Sequence, residues 1–593
     1  MNKSRLIQAA VISMLGMLAG CGPKQPAPPV TGHALVSPAV ADCEPGTPGG
    51  RLTLVAPSVP RMFNPLLVQD VASDEITRLI FASLIRLDMA TQTPKPALAQ
   101  SWSVAPDGKT WTFKLRPGVY WSDGVPFTAD DVVFMWNEVM NNPDMNPGMY
   151  DVFLIGGKTL TVTKVDDLTV RVVTPEVFAP FLKYFGTVAI LPKHVIELPV
   201  KQRSFLSVYR LNTRPDQIVG CGPFRVKEVQ SNGSVLLERN PEFWETDTKG
   251  QRLPYLNEVL VIAGNPGMSA SLFLAGKSDV YEHTRPDQYP VFDKAAANGQ
   301  FRVVDLGLGT ERDLLWFNQN TGTDPNGRPL VEPAKLKWFR NKQFREAVSC
   351  AMDRQRMAQE VYGGRARPVY GLVSAEGQKW ENTNAPQFAY DPARARSLLR
   401  DIGIEDRDHD GTLEDADGHP VAFTLESNTG NPLRGRCAAI IAEDLRQLGM
   451  KVTLRLVDYQ QLVNRVNASS NYECVLMGLV GGAGEPASQM NVLMSDQPYH
   501  QWFPSQKTPS TEWEARIDTL MEEQMRTLDF AQRKKLFDEV QAILCDELPM
   551  ISTVAPYQFA AIRSSIGNVR PSVLTPYRLT WNVEELYFKP QAR

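Results

Sequence analysis

The chain lacks the residues from which most hydrolytic and metal-dependent active sites are built. Only six of its 593 residues are histidine (His33, His194, His283, His409, His419 and His500), and they are scattered. No His-Glu-x-x-His pair or clustered His/Cys set occurs, which argues against a catalytic metal. No Gly-x-Ser-x-Gly elbow is present either. Seven cysteines occur without a Cys-x-x-Cys pair, which argues against a zinc ribbon. With Cys21 set apart, six remain that an oxidising compartment would allow to pair. An excess of one charge is also missing. The net charge is −4 with both signs interspersed, which argues against a nucleic-acid or anionic-membrane footprint. There are no internal repeats. Carboxylates are plentiful, but nothing in their spacing motivates an enzyme.

What is present is an ordinary soluble composition, 43% apolar and 22% charged. A chain of 593 residues exceeds one core, so two or three domains are expected. At the N-terminus, Lys3 and Arg5 precede an apolar run over residues 6–18. It is shorter than the roughly 20 residues that span a bilayer, so a removed signal segment fits better. The run ends Leu18-Ala19-Gly20-Cys21. Residues 22–48 are rich in Pro, Ala and Val with little periodicity, and read as an extended tether.

The most informative stretch begins at Asp107-Gly108. Trp111, Phe113 and Leu115 alternate with Thr112, Lys114 and Arg116, giving a strand with one apolar face. Arg116-Pro117-Gly118 and Asp123-Gly124 are turns. Thr128 lies three residues before Asp131, a capping-box spacing that opens a helix. Further on, Asp391-Pro392 supplies an N-cap with proline at the first helical position. Thr511-Glu512-Trp513-Glu514 is a second capping box. A helix ending at Gly449, followed by alternating Val452, Leu454 and Leu456, indicates an α/β unit.

Taken together, these stretches resemble the extracellular solute-binding proteins of family 5, the peptide receptors of ABC importers. The resemblance is carried by Leu115-Arg116-Pro117-Gly118-Val119 with Thr128-Ala129-Asp130-Asp131-Val132. Gly220-Cys221-Gly222-Pro223-Phe224 and Arg239-Asn240-Pro241-Glu242-Phe243-Trp244 follow in order. It implies an α/β, bilobed periplasmic-binding-protein-like fold of the type II, three-domain oligopeptide-receptor architecture. The implied division is a signal segment at 1–20 and a tether at 21–49. Lobe I comprises 50–78, 193–305 and 556–593, with an inserted domain II at 79–192 and lobe III at 306–555. Leu18-Ala19-Gly20-Cys21 is similar to a lipobox, in which Cys21 is lipidated.

The same resemblance places ligand contacts at Ser58 and Pro60, after the first strand, and at Trp316 and Asn318. It also places them at Gly478, Leu479, Val480, Gly482 and Glu485 of a glycine-rich loop. In peptide receptors of this family, the strand before that loop pairs with the ligand backbone. An aspartate there takes the peptide's ammonium. Here Leu479 replaces an aromatic residue and Gly482 falls where the aspartate would be. Either Glu485 substitutes, or the ligand lacks a free ammonium there.

One constellation stands apart from the resemblance. Asp406, Asp408 and Asp410 followed by Gly411 have the spacing of a calcium loop, with Asp417 at its twelfth position in place of glutamate. Any calcium there is structural; no cofactor is expected otherwise. Gly276-Lys277-Ser278 looks like a P-loop end, but Ser271 stands where the loop's first glycine belongs.

The expected function is a monomeric, lipid-anchored receptor that captures a peptide-like solute and hands it to an ABC permease with its ATPase. Its expected location is the periplasm or cell surface, with membrane contact through the lipid alone and no nucleic acid. Two rivals are kept. One is the same fold with a nickel chelate, haem, glycan or opine-like ligand. The other is an extracytoplasmic enzyme or sensory adaptor.

Overall fold

The computed structural model describes residues 32–145, 147–282, 284–371, 379–480, 485–504, 506–574 and 578–590. Its architecture follows from how the apolar faces of four principal sheets are covered. In lobe I, the strands Arg51–Ala56, Glu258–Ala263, Val235–Arg239 and Phe224–Val229 lie in that order. The first pair is parallel and the others antiparallel. The inserted domain carries an antiparallel sheet ordered Ala99–Val104, Thr110–Leu115, Thr169–Val173, Thr161–Asp166. Its expected alternation is realised, with Trp111, Phe113 and Leu115 at most 6% exposed. One continuous core contains Leu52 and Val259 of lobe I together with Phe113 and Trp136 of the inserted domain. Apolar packing therefore joins these two domains into one body.

Lobe III is built on a five-stranded sheet ordered Lys451–Val457, Ala422–Asn428, Cys474–Val480, Glu311–Phe317, Ile551–Ser552. Both faces are covered. Leu314, Trp316, Val475 and Met477 point into one core, and Leu315, Phe317, Cys474 and Leu476 into another, as the two-residue strand period requires. The chain passes directly between this sheet and the sheet of Val280–Tyr281, Val554–Arg563 and Phe301–Leu308 at Gly309-Thr310 and Thr553, and the lobe III strand Ala366–Pro368 also pairs with Val554–Pro556 beside the second. Two short connections between separately cored bodies have the form of a hinge.

The sequence motifs act as clamps. Thr128 and Asp131 form the expected capping box, and Asp131 Oδ1 also accepts from the Lys193 amide at 2.9 Å. That contact ties the helix start to the exit from the inserted domain. A Cβ on Gly220 or Gly222 would lie 2.2 Å or 2.7 Å from the Ile80 carbonyl oxygen, so only glycine permits this approach. Asn240 Nδ2 donates to the Gly222 carbonyl and Trp244 Nε1 to that of Cys221, at 2.8 Å and 3.1 Å. The two motifs are therefore halves of one contact.

One expectation needs correction. The stretch read as a tether is docked from His33 onward. The His33 ring stacks on Tyr120 at 3.9 Å and pairs with Glu242 at 3.0 Å. Ala39–Val40 adds a parallel strand to Glu245–Thr246, and Arg116 Nη1 donates to the Ser37 carbonyl. An extended proline-rich chain presents backbone groups that a neighbouring edge and guanidinium can use. On cysteine pairing, which the sequence leaves open, Cys43, Cys221, Cys350, Cys437, Cys474 and Cys545 are free.

Candidate functional site

The glycine-rich loop grows out of the strand Cys474–Val480. That strand pairs along its whole length with Glu311–Phe317. On its other side, Ala422–Asn428 reaches only Cys474 and Val475. Towards Val480, no strand among the described residues pairs with this second edge. Gly478 lies opposite Asp313, and a Cβ there, on the sheet face shared with the Asp313 side chain, would collide with Arg434 Nη2. Arg434 Nε donates to Asp313 Oδ1 and its Nη1 to Asn428 Oδ1, both at 2.6 Å. Burial pushes the Asp313 carboxyl up, and Arg434 opposes that shift only in part. Arg434 was not singled out from the sequence. The available signal was the lone glycine inside a strand, which marks the close approach of another group.

Leu479 and Val480 occupy strand positions opposite Arg312 and Glu311. Gly482 lies outside the described residues. Glu485 is 7% exposed and its Oε1 accepts from Arg533 Nη2. Arg533 also donates to the Gln524 carbonyl at 2.9 Å and to Gln524 Oε1 at 2.7 Å, and lies 5.1 Å over the Trp380 ring. The carboxylate considered as a substitute ammonium anchor thus already has a cation from its own lobe.

Other expected contacts lie elsewhere. Ser58 is exposed just beyond the first lobe I strand, whereas Pro60 is buried. Trp316 and Asn318 are fully buried. Trp316 is a core side chain, and Asn318 Nδ2 donates to the carbonyls of Ser470 and Tyr472 at 2.8 Å and 2.9 Å. Strand alternation accounts for the burial of the first and loop pinning for that of the second.

The inserted domain meets lobe III across the crevice. The Ala179 amide donates to the Met525 carbonyl at 2.7 Å, and Glu176 pairs with Arg526 at 3.3 Å. Burial pushes the nearby Lys183 ammonium down to about 8, with the field of Glu485 opposing it. A cavity of about 660 Å³ opens beside Lys183 and Tyr184.

The calcium-like loop is formed, but with one donor exchanged. Oxygens of Asp406, Asp408, Asp410 and Glu414 all lie within 4.8 Å of one another. Asp406 Oδ1 is buried and accepts no hydrogen bond. Gly411 turns at φ +86° and its amide donates to Asp406 Oδ2 at 3.0 Å. Asp417 is not in this group; it lies 3.5 Å from Lys337 Nζ. Bridges from Glu414 to Glu405 and Pro420 fold the loop back so that its ninth position replaces the twelfth. An all-carboxylate set with an orphaned buried oxygen fits a hard cation such as Ca²⁺.

Known proteins resemble this chain over most of its length. A probable ABC transporter-binding protein of Deinococcus radiodurans is 26% identical over 495 residues, covering 80% of this chain and 81% of that one. The oligopeptide-binding protein AppA of Bacillus subtilis is 24% identical over 550 residues, 91% of each chain. Its structure with a nonapeptide matches with a TM-score of 0.66 over 92% of this chain and 100% of that one, at 23% identity. MelB of Agrobacterium fabrum, solved with stachyose, matches with a TM-score of 0.69 over 93% of this chain and 87% of that one, also at 23% identity. The two structural likenesses concern the fold alone. The family described as bacterial extracellular solute-binding proteins, family 5 (Middle), matches residues 93–501, and the chain belongs to that family.

Proposed function

We propose that the protein is the lipid-anchored receptor of an ABC importer, closing lobe III against lobe I and the inserted domain around a peptide or peptide-like solute. The family consists of solute-binding proteins, not enzymes, and is extracellular. The observation that carries the finer reading is the strand edge from Met477 to Val480, which no described strand pairs, beside a hinge of two direct connections; at Leu476 the carbonyl already accepts from Ser427 Oγ at 2.8 Å. An extended ligand backbone is the partner such an edge lacks. Closure follows from binding the closed state better than the open one. Cys21 supplies the anchor, and a permease with its ATPase receives the solute. The occupied Glu485 supports a variant of this reading: the ligand's ammonium is not held at this loop, and a non-peptide solute is admissible there.

Titration of the domain lacking residues 1–21 with peptide mixtures tests the proposal. A bound ligand at a hundredfold excess over Kd stabilises by about 2.7 kcal/mol and raises Tm. Native mass spectrometry of gently purified protein should show a carried solute. No thermal or fluorescence change with any peptide, and no carried solute, would end this reading.

We also propose a structural Ca²⁺ at Asp406, Asp408, Asp410 and Glu414. Adding Ca²⁺ to EDTA-treated protein should raise Tm, and Asp406→Asn should abolish the rise. A rise of equal size in Asp417→Asn is expected. Loss of the rise in Asp417→Asn but not in Asp406→Asn would refute this donor set.

A further inference from the structure

Lobe III meets the inserted domain through the turn that joins its helices Glu512–Arg526 and Phe530–Glu547. The Met525 carbonyl accepts from the Ala179 amide at 2.7 Å. The Met525 side chain leaves its own lobe and packs against the core shared by lobe I and the inserted domain. Arg526 Nε lies 3.3 Å from Glu176 Oε2. Leu528 covers the Asp107-Gly108 turn: a Cβ built on Gly108 would lie 3.2 Å from Leu528 Cδ1 and 3.1 Å from Val177 Cγ2. A main-chain bond, an ion pair and apolar contacts thus meet within Met525–Leu528. The ion pair is exposed, with side chains 59% and 48% accessible, and contributes little. The larger share lies with Met525, which trades water for an apolar core when the lobes meet.

Both sides are fastened locally. In the inserted domain, Asp107 Oδ1 accepts from the Lys109 and Thr110 amides at 2.8 Å and 2.9 Å. The Thr174 amide donates to the Lys109 carbonyl at 3.1 Å, and its hydroxyl to the Glu176 carbonyl at 2.6 Å. The receiving segment is therefore tied to the turn beside it. In lobe III, Thr527 Oγ1 donates to the Glu523 carbonyl at 2.8 Å, and Asp529 caps the next helix by accepting from the Gln532 amide at 2.9 Å. Gln524, just before the turn, is held by Arg533, which also holds Glu485 beside the glycine-rich loop. The turn and Glu485 therefore move as one part. Surfaces shaped in advance give up little freedom on meeting, so a small contact is enough to hold them.

We propose that Met525–Leu528 is a latch that seats on the inserted domain and holds a fraction of the receptor closed before solute arrives. The inference rests on the lobe closure of the receptor reading above and adds the device that tunes it. Because each solute is gripped in the same closed state, the latch strengthens all of them by a common factor without touching any.

The test reads lobe separation by double electron–electron resonance, without solute, in the chain lacking residues 1–21. Spin labels go on Lys158→Cys of the inserted domain and Lys535→Cys of lobe III, both exposed, in a Cys43→Ser background; the other described cysteines are buried. Two separations are expected in the otherwise unaltered protein. Met525→Asp should cut the weight of the shorter one about tenfold or more, since closure would bury a carboxylate in an apolar core. Glu176→Arg, which sets two guanidinia against each other on the surface, should cut it about twofold, and adding Arg526→Glu should restore it. This charge swap keeps the test open should Met525→Asp disturb folding. A single long separation in the unaltered protein, or an equal short component in Met525→Asp and Glu176→Arg, overturns the latch; peptide binding that persists then leaves the receptor reading standing. Failure of every peptide mixture to bind, with the short component responding as expected, overturns the receptor reading alone.

Discussion

Arg533→Ala is expected to destabilise lobe III by about 3–5 kcal/mol, the range for removing one partner of a buried ion pair. Arg533 and Glu485 side chains are 7% and 8% exposed. The loss leaves Glu485 without a cation, strips two donors from Gln524 and removes the cation over Trp380. Lysine cannot replace it, because a point ammonium does not reach three acceptors while stacking on an indole. The double variant Arg533→Met/Glu485→Gln should regain much of the loss, since no buried charge then stands alone. Urea unfolding of wild type, Arg533→Met, Glu485→Gln and the double variant closes a cycle that measures the coupling. Additive single effects would show that the two side chains are not coupled. Since lobe III has its own cores, the lost stability should appear in a separate calorimetric transition.

Glu514→Gln should cost about 3 kcal/mol or more, for a related reason. The carboxylate is 2% exposed and surrounded by donors. Its Oε2 accepts from the Ser510 amide and hydroxyl, both at 2.8 Å, and from the Thr511 hydroxyl at 3.0 Å. Its Oε1 accepts from Trp502 Nε1 at 2.9 Å and lies 3.3 Å from His500 Nε2. Burial alone would raise this carboxyl, but the bonds from His500, Trp502 and Ser510 outweigh it and hold it at about 2. A depressed carboxyl contributes stability that is present above its unfolded value, near 4.5, and lost as pH falls towards 2. The contribution is about 3 kcal/mol, at 1.36 kcal/mol per unit. Wild-type lobe III should therefore weaken over that acid window, and Glu514→Gln should flatten the dependence. An unchanged acid slope in the variant would show that another group controls it.

Short-range physics was legible in the sequence. The alternation at Trp111, Phe113 and Leu115 and the box from Thr128 to Asp131 appear as expected. So does the Asp391 cap, whose side chain accepts from the Arg394 amide. At Thr511 the spacing was right, but Glu514 reaches the Ser510 amide rather than that of the cap. What escaped is whatever depends on long-range partners. Glu485 meets Arg533 from 48 positions away, and Arg86 meets Glu584 from 498. Trp316 and Asn318 were placed at a ligand because their segment resembles one that crosses between lobes. Both are fully buried, which the resemblance did not indicate. The exchange of Asp417 for Glu414 turned on a fold-back that loop spacing does not encode.

The docking of His33 on Tyr120 and Glu242 bears on how the receptor is moored. With Cys21 acylated as proposed, twelve peptide steps, counted as 33 − 21, separate lipid from dock. Fully stretched, they reach about 40 Å. The receptor would then sweep a narrow zone above the bilayer, with one flank kept downward, and meet its permease by short lateral excursions rather than by free diffusion.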